Sequence, residues 1–322
     1  MNLLPSPDQE AMAAAVRTFL AAELPLARVR ALAGPDAIGE DTWRRCAGLG
    51  WLALGLSERC GGLGAGLAEE VMVFRELGRF LTPGPFLSSS IGARVAAQAG
   101  HPGLAADIAG GARRVGMAVG DRVLDARAGE LLLRLDAEAA VLAEIGDAEP
   151  LAALDPATRL VRVHRSTVIG RAEDPLLLAR GRVLAAAMLL GITEAVCDMS
   201  AAYARTRVQF GRPIGAFQAV KHRCADMAVA AYATVGQLHQ AALYVEGAHP
   251  DAAFHAAAAY VLAARGASRS AADNIQNHGG IGFTWEHDAH LYVRRVVVLE
   301  NLFGPLRASY PALMAPPRHD FR

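Results

Sequence analysis

The chain has 322 residues, enough for two or three domains or for one large core. Its 32 basic and 32 acidic residues cancel, which argues against nucleic acid or an anionic membrane surface as the main partner. Apolar residues make up 53% of the chain, yet no uncharged apolar run is long enough to span a bilayer, and the N-terminus lacks a signal pattern. We therefore expect a soluble, cytoplasmic protein with no membrane partner.

The N-terminal third has the periodicity of helices. Ser6 can cap a first helix, with Gln9 at the capping-box position. Helical patterns follow over 43–52, with an end near Gly48 and Gly50, and over 67–77. The glycine loop 60–64 lies between them, and it is a weak phosphate site because no lysine follows it and no strand precedes it.

The middle of the chain changes character. Its runs are short, rich in Val and Leu, and separated by Asp and Gly, which predicts the strands of a small sheet. The runs are Arg114–Val119, Glu130–Leu135, Ala139–Leu142 and Arg159–His164.

From Asp174 to near Gly304 the pattern is helical again. Asp251 is expected to cap a helix that reaches Ile275, and Thr284 is expected to cap the last helix. The tail from residue 316 onward is rich in Pro and Arg, which predicts loose packing.

The four cysteines show no CxxC pairing. Cys197 and Cys224 lie on apolar helical faces, which predicts buried free thiols.

Residues 205–218, RTRVQFGRPIGAFQ, join two long apolar helical patterns. Glycines and a proline break the helix between them, and Arg212 is disfavoured in helical geometry because Pro213 follows it. The turn presents Arg205, Arg207 and Arg212, and its glycines allow another backbone or a phosphate to approach closely. Composition alone favours an ordinary helical hairpin with a solvated basic turn.

The motif itself resembles the helix-turn-helix of the acyl-CoA dehydrogenase flavoprotein family. It runs as RVQFG from Arg207, PI from Pro213 and FQ from Phe217. Residues 276–288, QNHGGIGFTWEHD, resemble the flavin-contacting loop near the C-terminus of that family, and residues 50–86 resemble part of its N-terminal helical domain.

The resemblance covers nearly the whole chain and implies a mostly α fold with a small β-domain. The expected organisation is an N-terminal helical domain at 1–110, a truncated middle β-domain at 111–170 and a C-terminal four-helix bundle at 171–322. The chain is shorter than usual members of the family, and the missing length falls in the middle domain.

The sequence departs from the family in two features, the motifs that hold the flavin ring and the Glu that acts as catalytic base. The early β-domain lacks the Thr-Glu-Pro and Gly-Ser-Asp motifs that hold the flavin ring, and all three tryptophans lie outside that domain. In the family, a catalytic Glu precedes either a glycine after the last helix or an arginine early in the helix leading to the motif. The matching residues here are Phe303, before Gly304, and Gly181, before Arg182. Glu300 lies one turn before Phe303 and is a possible substitute, although an ion pair with Arg294 or Arg295 is the simpler expectation.

The retained features are those that a family member offers to the FAD of its neighbour. The resemblance implies that Arg207 contacts the FAD pyrophosphate of the adjacent subunit and that Gln218 approaches the adenosine. It implies that Gln276, Gly279 and Gly280 lie in a loop along the diphosphate of the same FAD. Phe210 is expected to contact this FAD as well. The full set of expected cofactor-binding residues is Arg207, Phe210, Gln218, Gln276, Gly279 and Gly280.

These features lead to three hypotheses. The first is a non-catalytic subunit of an FAD-dependent acyl-CoA dehydrogenase that completes FAD sites of a related partner chain. It resembles the α2β2 enzymes of actinobacterial steroid side-chain breakdown, with an acyl-CoA substrate and an electron-transfer flavoprotein as acceptor. The second is a self-sufficient dehydrogenase with Glu300 as base, and the third is a non-redox assembly protein with the same fold.

A metal site is not expected. His278, His287 and His290 with Asp288 suggest ligands, but no Cys or paired Glu completes a set. The resemblance also assigns no metal role to the positions of His287 and His290.

Overall fold

The computed structural model describes residues 3–31 and 38–315, and the predicted loose tail from 316 lies outside them. Helices come first, strands occupy the middle, and long helices follow. The helices are α1 Pro7–Glu23, α2 Leu26–Ala31, α3 Glu40–Gly48, α4 Leu67–Arg79, α5 Phe86–Gln98, α6 Pro102–Ala109, α7 Pro175–Thr206, α8 Gln218–Glu246, α9 Ala252–His278, α10 Ala289–Leu299 and α11 Tyr310–Met314. The strands are β1 Val115–Val119, β2 Arg122–Leu124, β3 Leu131–Leu135, β4 Ala140–Leu151, β5 Leu160–Ala172, β6 Val208–Gln209 and β7 Arg212–Pro213.

The predicted capping box of α1 is confirmed. The Ser6 hydroxyl accepts from the Gln9 amide (3.2 Å), and the Gln9 side-chain oxygen accepts from the Ser6 amide (2.9 Å). The helix expected from Trp43 begins three residues earlier, at Glu40, and its expected end near Gly48 is confirmed. Gly50 adopts a φ of +82°, a left-handed conformation that ends the helix before the buried Trp51.

The strands form a small closed barrel in the order β1-β2-β5-β4-β3. β1 and β3 pair in parallel, and the other neighbours are antiparallel. The predicted positions of β1 and β3 are confirmed. β4 and β5 are longer than expected, because they continue as a paired ribbon from Ala140 opposite Ala172 to Leu151 opposite Leu160. The three-residue β2 was not predicted.

The three long helices α7, α8 and α9, together with the shorter α10, confirm the expected bundle. Asp174 begins α7 by accepting from the Leu176 amide (2.9 Å). The expected start of the last bundle helix is wrong. Its first residue is Ala289, and the Thr284 hydroxyl donates to the Ile281 carbonyl (2.9 Å) at the end of a short 3-10 turn.

α4 crosses α7 at two glycines. A Cβ atom on Gly78 would lie 2.0 Å from the Met188 carbonyl oxygen, and one on Gly191 would lie 1.9 Å from the Arg75 carbonyl oxygen. The two helix backbones can therefore come this close only because both positions are glycine. Charged pairs flank the crossing, since Arg75 bonds Glu194 with both guanidinium arms. The N-terminal helices are thus held directly against the bundle.

α7 corrects one expectation from composition. Residues 175–206 contain an 18-residue window apolar enough to cross a membrane. That window is 94% buried by the other helices, which is the environment of a core helix. The free thiols of Cys197 and Cys224 are only partly buried, where full burial was expected, and burial raises the pKa of both.

Candidate functional site

A tight hairpin connects α7 to α8. Val208 pairs with Pro213 and Gln209 with Arg212, so that two residues, Phe210 and Gly211, make the turn. Both have positive φ, +52° and +75°, as a type I′ turn requires. A left-handed conformation is unfavourable for phenylalanine, and the ring is 91% exposed. The hairpin therefore holds an aromatic ring in solvent at a conformational cost.

Arg207 lies at the point where α7 ends and the hairpin begins. Its amide donates to the Tyr203 carbonyl (2.8 Å), and its carbonyl accepts from the Ile214 amide (2.8 Å). The backbone is thus fixed on both sides, whereas the side chain is exposed. Among the described residues its guanidinium has neither an ion pair nor a hydrogen bond.

The end of α9 lies beside the end of α7. The rings of Tyr203 and His278 stack with centroids 4.3 Å apart, and the Ser200 hydroxyl donates to Asn274 (2.7 Å). This contact places the loop after His278 next to the Arg207 turn. Gly279 has a φ of +64°, and a Cβ atom on it or on Gly280 would meet nothing within 4 Å. The loop therefore exposes bare backbone at this position.

The start of α8 completes the same surface. The Asn277 amide group approaches the Cys224 sulfur (3.7 Å), which sets the first turns of α8 beside the end of α9. Gln218 is the first residue of α8, and it is exposed, as is Gln276 on α9. The six predicted cofactor-binding residues thus belong to three chain segments that meet at one end of the bundle. We call this surface the bundle end, and its residues are Arg207, Phe210, Gln218, Gln276, Gly279 and Gly280.

The bundle end is cationic. Arg205, Arg207, Arg212 and Lys221 are exposed there, and none has a carboxylate within 4.0 Å in the part of the chain that is described. Arg212 instead lies over the Phe217 ring, 4.3 Å from its centroid. The N-terminus of α8 adds the positive end of a 29-residue helix dipole. This combination suits a diphosphate, for which guanidinium groups and free backbone amides are the usual ligands.

Sequence reasoning missed the exposed aromatic side chains that follow the Gly279–Gly280 loop. Phe283 is 79% and Trp285 is 60% exposed, and Ile281 is also exposed. The signal was available, since these three apolar residues stand in a loop that is otherwise polar and rich in glycine. Contiguous exposed aromatic side chains mark contact surfaces rather than free protein surface.

A second region lies where the start of α5, the barrel, α7 and α10 meet. We call it the interdomain cleft, and it is lined by Gly84, Pro85, Leu87, Ser88, Met117, Leu124, Asp125, Thr158, Met188, Arg295, Val298, Leu299 and Leu302. Its free volume is about 50 Å³. Pockets that hold a cofactor or a drug-sized ligand have roughly 300–1,000 Å³.

A buried ion pair occupies one side of the cleft. Arg295 and Asp155 are 5% and 2% exposed, and the Arg295 guanidinium bonds Asp155 and donates to the Thr82 carbonyl (3.0 Å). Asp155 also accepts from the Ala157 amide (3.0 Å). Nearby, burial raises the pKa of the Asp125 carboxyl to about 6, although Arg295 acts in the opposite direction. The Arg295 and Asp155 side chains are therefore already bonded within the protein.

The two positions at which the family places its base lie in contact. A Cβ atom on Gly181 would lie 3.3 Å from the ring of Phe303, and that ring packs edge-on against Tyr260 with centroids 5.3 Å apart. Neither residue of this contact carries a carboxylate, so neither position supplies a catalytic base. Arg182, next to Gly181, is 8% exposed, and it has no carboxylate partner among the described residues. Burial lowers its pKa.

Glu300 lies at the C-terminal end of α10. The expected ion pair with Arg294 or Arg295 is wrong, because Arg295 bonds Asp155 and Arg294 donates to the Leu154 carbonyl (3.0 Å). Partial burial raises the pKa of Glu300, which has no ion pair within the described part of the chain. This is the direction that a general base requires.

The histidines near the bundle end form ring contacts rather than a metal site. His278 and His287 have ring centroids 4.4 Å apart, and His290 packs edge-on against Trp285 at 4.7 Å. Burial lowers the pKa of all three. Over residues 3–31 and 38–315, no group of three His, Cys, Asp or Glu side chains is placed to hold a metal ion.

Comparison with known sequences agrees with this geometry. The profile of the family described as "Acyl-CoA dehydrogenase, N-terminal domain" matches residues 6–107, and "Acyl-CoA dehydrogenase, C-terminal domain" matches residues 176–306. The chain belongs to the acyl-CoA dehydrogenase family. This confirms the resemblance found in the sequence, and it supports an oxidoreductase role with FAD as cofactor.

Individual relatives match over almost their whole length. Acyl-CoA dehydrogenase IpdE2 of Mycobacterium tuberculosis is 34% identical over 306 residues, covering 91% of this chain and 92% of the relative. IpdE2 of Mycolicibacterium smegmatis is 31% identical, covering 95% and 96%. A chain in the crystal structure of the ChsE4-ChsE5 complex from Mycobacterium tuberculosis superposes with a TM-score of 0.82 at 25% identity, covering 97% of both chains.

Proposed function

We propose that this protein is the non-catalytic subunit of a two-chain acyl-CoA dehydrogenase and that it completes FAD sites bound mainly by a related partner chain. One observation carries the proposal. The bundle end is open and cationic, and Arg207 there has no ion pair or hydrogen bond from its guanidinium among the described residues, whereas the interdomain cleft has about 50 Å³ of free volume. The chain thus has the groups that reach toward a neighbour's cofactor, and its interdomain cleft, between the described helices and the barrel, is too small for a flavin ring.

Each residue of the bundle end has a definite role in this proposal. Arg207 binds FAD phosphate oxygens with two parallel hydrogen bonds, for which its backbone is already fixed. The Gly279–Gly280 backbone follows the diphosphate, since no side chain blocks its approach. Gln218 hydrogen-bonds the adenosine side, and Gln276 lies along the diphosphate with the glycine loop. The exposed Phe210 ring contacts the FAD at the interface with the partner chain. Bound FAD supplies the hydride acceptor for α,β-desaturation.

The same surface supports a related chain as the partner. A related chain would face the bundle end with the flavin-ring motifs and the catalytic Glu that are missing here. The exposed aromatic residues beside the Gly279–Gly280 loop supply the apolar contact that a stable interface needs. The relative in the ChsE4-ChsE5 complex is itself part of a two-chain assembly. We extend that arrangement to a cytoplasmic heterotetramer that acts on an acyl-CoA in steroid degradation and passes electrons to an electron-transfer flavoprotein.

The test compares the chain alone with the chain co-purified with its partner. Expressed alone, the protein should be colourless, and the complex should be yellow with flavin that an acyl-CoA bleaches under anaerobic conditions. A stoichiometric flavin spectrum from the chain alone would refute the proposal. Co-purification from the native host identifies the partner.

A self-sufficient dehydrogenase with Glu300 as base is the second candidate. The raised pKa of this unpaired carboxyl is the observation that favours it. Glu300→Gln then removes flavin reduction by an acyl-CoA while flavin remains bound. An unchanged reduction rate in the variant excludes Glu300 from the chemistry. A third candidate, a non-redox assembly protein, requires that no partner chain forms a flavin-reducible complex.

A further inference from the structure

One side of α8 carries a stripe of residues without charged side chains. Its members recur at three and four residues along the helix, so they lie on one face, away from the side that packs on α7 and α9. Three of them are large, since Val229 is 66%, Tyr232 84% and Leu243 36% exposed. We call this surface the α8 stripe, and its residues are Ala225, Val229, Tyr232, Ala233, Gly236, Gln240 and Leu243.

The α8 stripe is long and continuous. From Ala225 to Leu243 it extends over about 27 Å at the helical rise of 1.5 Å per residue. Asp226 stands beside it in the sequence, but its carboxylate accepts from Arg269 of α9 (3.4 Å), away from the stripe. Contiguous exposed apolar surface of this kind marks a contact with another protein.

The α8 stripe is complementary in shape to a second copy of itself. A two-fold axis midway between Tyr232 and Gly236 places Tyr232 of each copy against Gly236 of the other. The same axis places Ala225 of each copy against Leu243 of the other. Gly236 is open on this side, because a Cβ atom on it would meet nothing within 4 Å. Each large side chain thus meets a small residue, as helix packing requires.

Charge favours the same antiparallel orientation. The axis brings Lys221 of one copy close to Glu246 of the other. Lys221 is exposed and has no carboxylate within 4.0 Å among the described residues, and the Glu246 side chain is 46% exposed although it bonds Arg180. A parallel arrangement would instead place Lys221 beside Lys221 and Tyr232 beside Tyr232, with the two helix dipoles aligned unfavourably.

We propose that the α8 stripe binds the α8 stripe of a second copy of this chain in antiparallel orientation. The product is a two-fold symmetric dimer, which is the commonest symmetry of protein oligomers. The contact itself requires only this chain. Its place in a heterotetramer rests on the proposed function, in which each copy binds one partner chain at its bundle end and α8 joins the two pairs.

Analytical ultracentrifugation of the full chain alone tests the contact. The wild-type chain should sediment as a dimer at micromolar concentration. Gly236→Leu should raise the dissociation constant by roughly a hundredfold, because the new side chain occupies the space that receives Tyr232. The variant is expected to fold, since leucine favours a helix more than glycine does and a Cβ atom there is unobstructed. Ala15→Leu is the matched control, because it adds an exposed leucine to α1, and it should leave the dimer unchanged.

A pair of cysteines tests the orientation. The A225C/L243C double variant should form a covalent dimer under mild oxidation, because the two positions face each other across the axis. Within one chain they are about 27 Å apart along α8, too far for a disulfide. Each single variant should stay uncoupled, whereas a parallel dimer would link Ala225→Cys to itself. The wild-type chain, which has four cysteines, gives the background.

A monomeric wild-type chain, or a Gly236→Leu variant that dimerises as tightly as the wild type, would overturn the proposal. If Gly236→Leu disrupts only the complex with the partner chain, then that chain covers α8 and the self-contact is wrong. A failure of the proposed function would appear separately, as flavin bound to the chain alone, and the dimer measurement would still decide the role of α8.

Discussion

The bundle end and the interdomain cleft each contain a prominent arginine, and the two arginines differ in burial and in hydrogen bonding. Arg207 is exposed and has no partner within the described chain, whereas Arg295 is buried and bonds both Asp155 and the Thr82 carbonyl. An unpaired arginine on a fixed backbone can bind an anion from outside. A buried arginine whose donors are occupied contributes to the fold and is not available to a ligand. The same side chain thus indicates a binding surface in one region and a structural contact in the other.

The largest expected effect comes from breaking the ion pair in the cleft. Asp155→Asn removes the carboxylate that is bonded to the buried Arg295 guanidinium, and we expect the free energy of unfolding to fall by about 3–5 kcal/mol. Urea denaturation of the chain alone measures it. Glu173→Gln is the control, because it removes an exposed pair with Arg171 and should change stability by less than about 1 kcal/mol. An Asp155→Asn loss as small as that of the control would show that the cleft pair is not structural.

The next effect concerns the bundle end and should appear in flavin retention rather than in folding. Arg207→Ala removes a bidentate, charge-assisted contact worth about 1.5–3 kcal/mol. FAD retention in the complex should therefore weaken by roughly ten- to a hundredfold, measured as the flavin-to-protein ratio after dilution. Arg207→Lys should recover only part of it, because an ammonium group lacks the two-pronged geometry.

Arg205→Ala provides the matched control for Arg207. Arg205 is also exposed and unpaired at the same turn, but it precedes the residue that matches the family motif. If the two alanine variants lose flavin equally, the bundle end acts through its net charge rather than through one specific contact. An Arg207→Ala complex that remains fully yellow at nanomolar concentration would refute the shared site.

Structural features that depend on neighbouring residues were predicted correctly from the sequence. Three such features were found in the structure: the capping box of Ser6 and Gln9, the helix over 67–77 and the bend before Pro213. Each depends on residues that are close together in the sequence. The start of α10 was predicted wrongly at Thr284, because the intervening residues form irregular 3-10 turns that no regular periodicity marks. The short β2 was missed since three residues carry too little pattern.

Contacts between distant segments were beyond the reach of sequence reasoning. The Arg295 guanidinium bonds the Asp155 carboxylate although 140 residues separate them in the sequence. No local sequence pattern at either residue predicts this pair. Arg295 was instead considered as a partner for Glu300. The packing of Phe303 on Gly181 is of the same kind. The bundle-end residues were identified because their motif is specific to a family, whereas their common location follows from the packing of α7, α8 and α9.

The pH dependence of stability should also distinguish the two regions. The pKa of Asp125, in the cleft, is raised from 3.8 to about 6. Because the folded protein holds this proton more tightly than the unfolded chain does, Asp125 favours folding below about pH 4 and loses that contribution as the pH rises through about 6. Asp125→Asn should therefore stabilise the chain by about 3 kcal/mol at pH 8 and have little effect at pH 4.

Urea denaturation at several pH values measures this difference. Asparagine accepts the Arg159 amide hydrogen bond as aspartate does (3.0 Å) and tolerates the φ of +55° at this position, so the comparison isolates the charge. A stability difference that does not vary with pH would contradict the raised pKa.

The smallest expected effect concerns the strained residue of the bundle end. Phe210 has a φ of +52° in the first position of a type I′ turn, where Asn followed by Gly is the favoured pair. Phe210→Asn should stabilise the isolated chain by about 1 kcal/mol, because asparagine adopts the left-handed conformation more readily. The same variant should weaken the complex, since it removes the ring that Phe210 holds toward the FAD at the interface with the partner chain. Tyr232→Asn is the control, because it removes an equally exposed aromatic ring from the regular helix α8 and should not stabilise the chain. Thermal unfolding of the isolated chain and flavin retention in the complex measure the two effects. A gain in stability without a loss in the complex would mean that Phe210 does not contact the FAD, and no gain would mean that the turn is not strained.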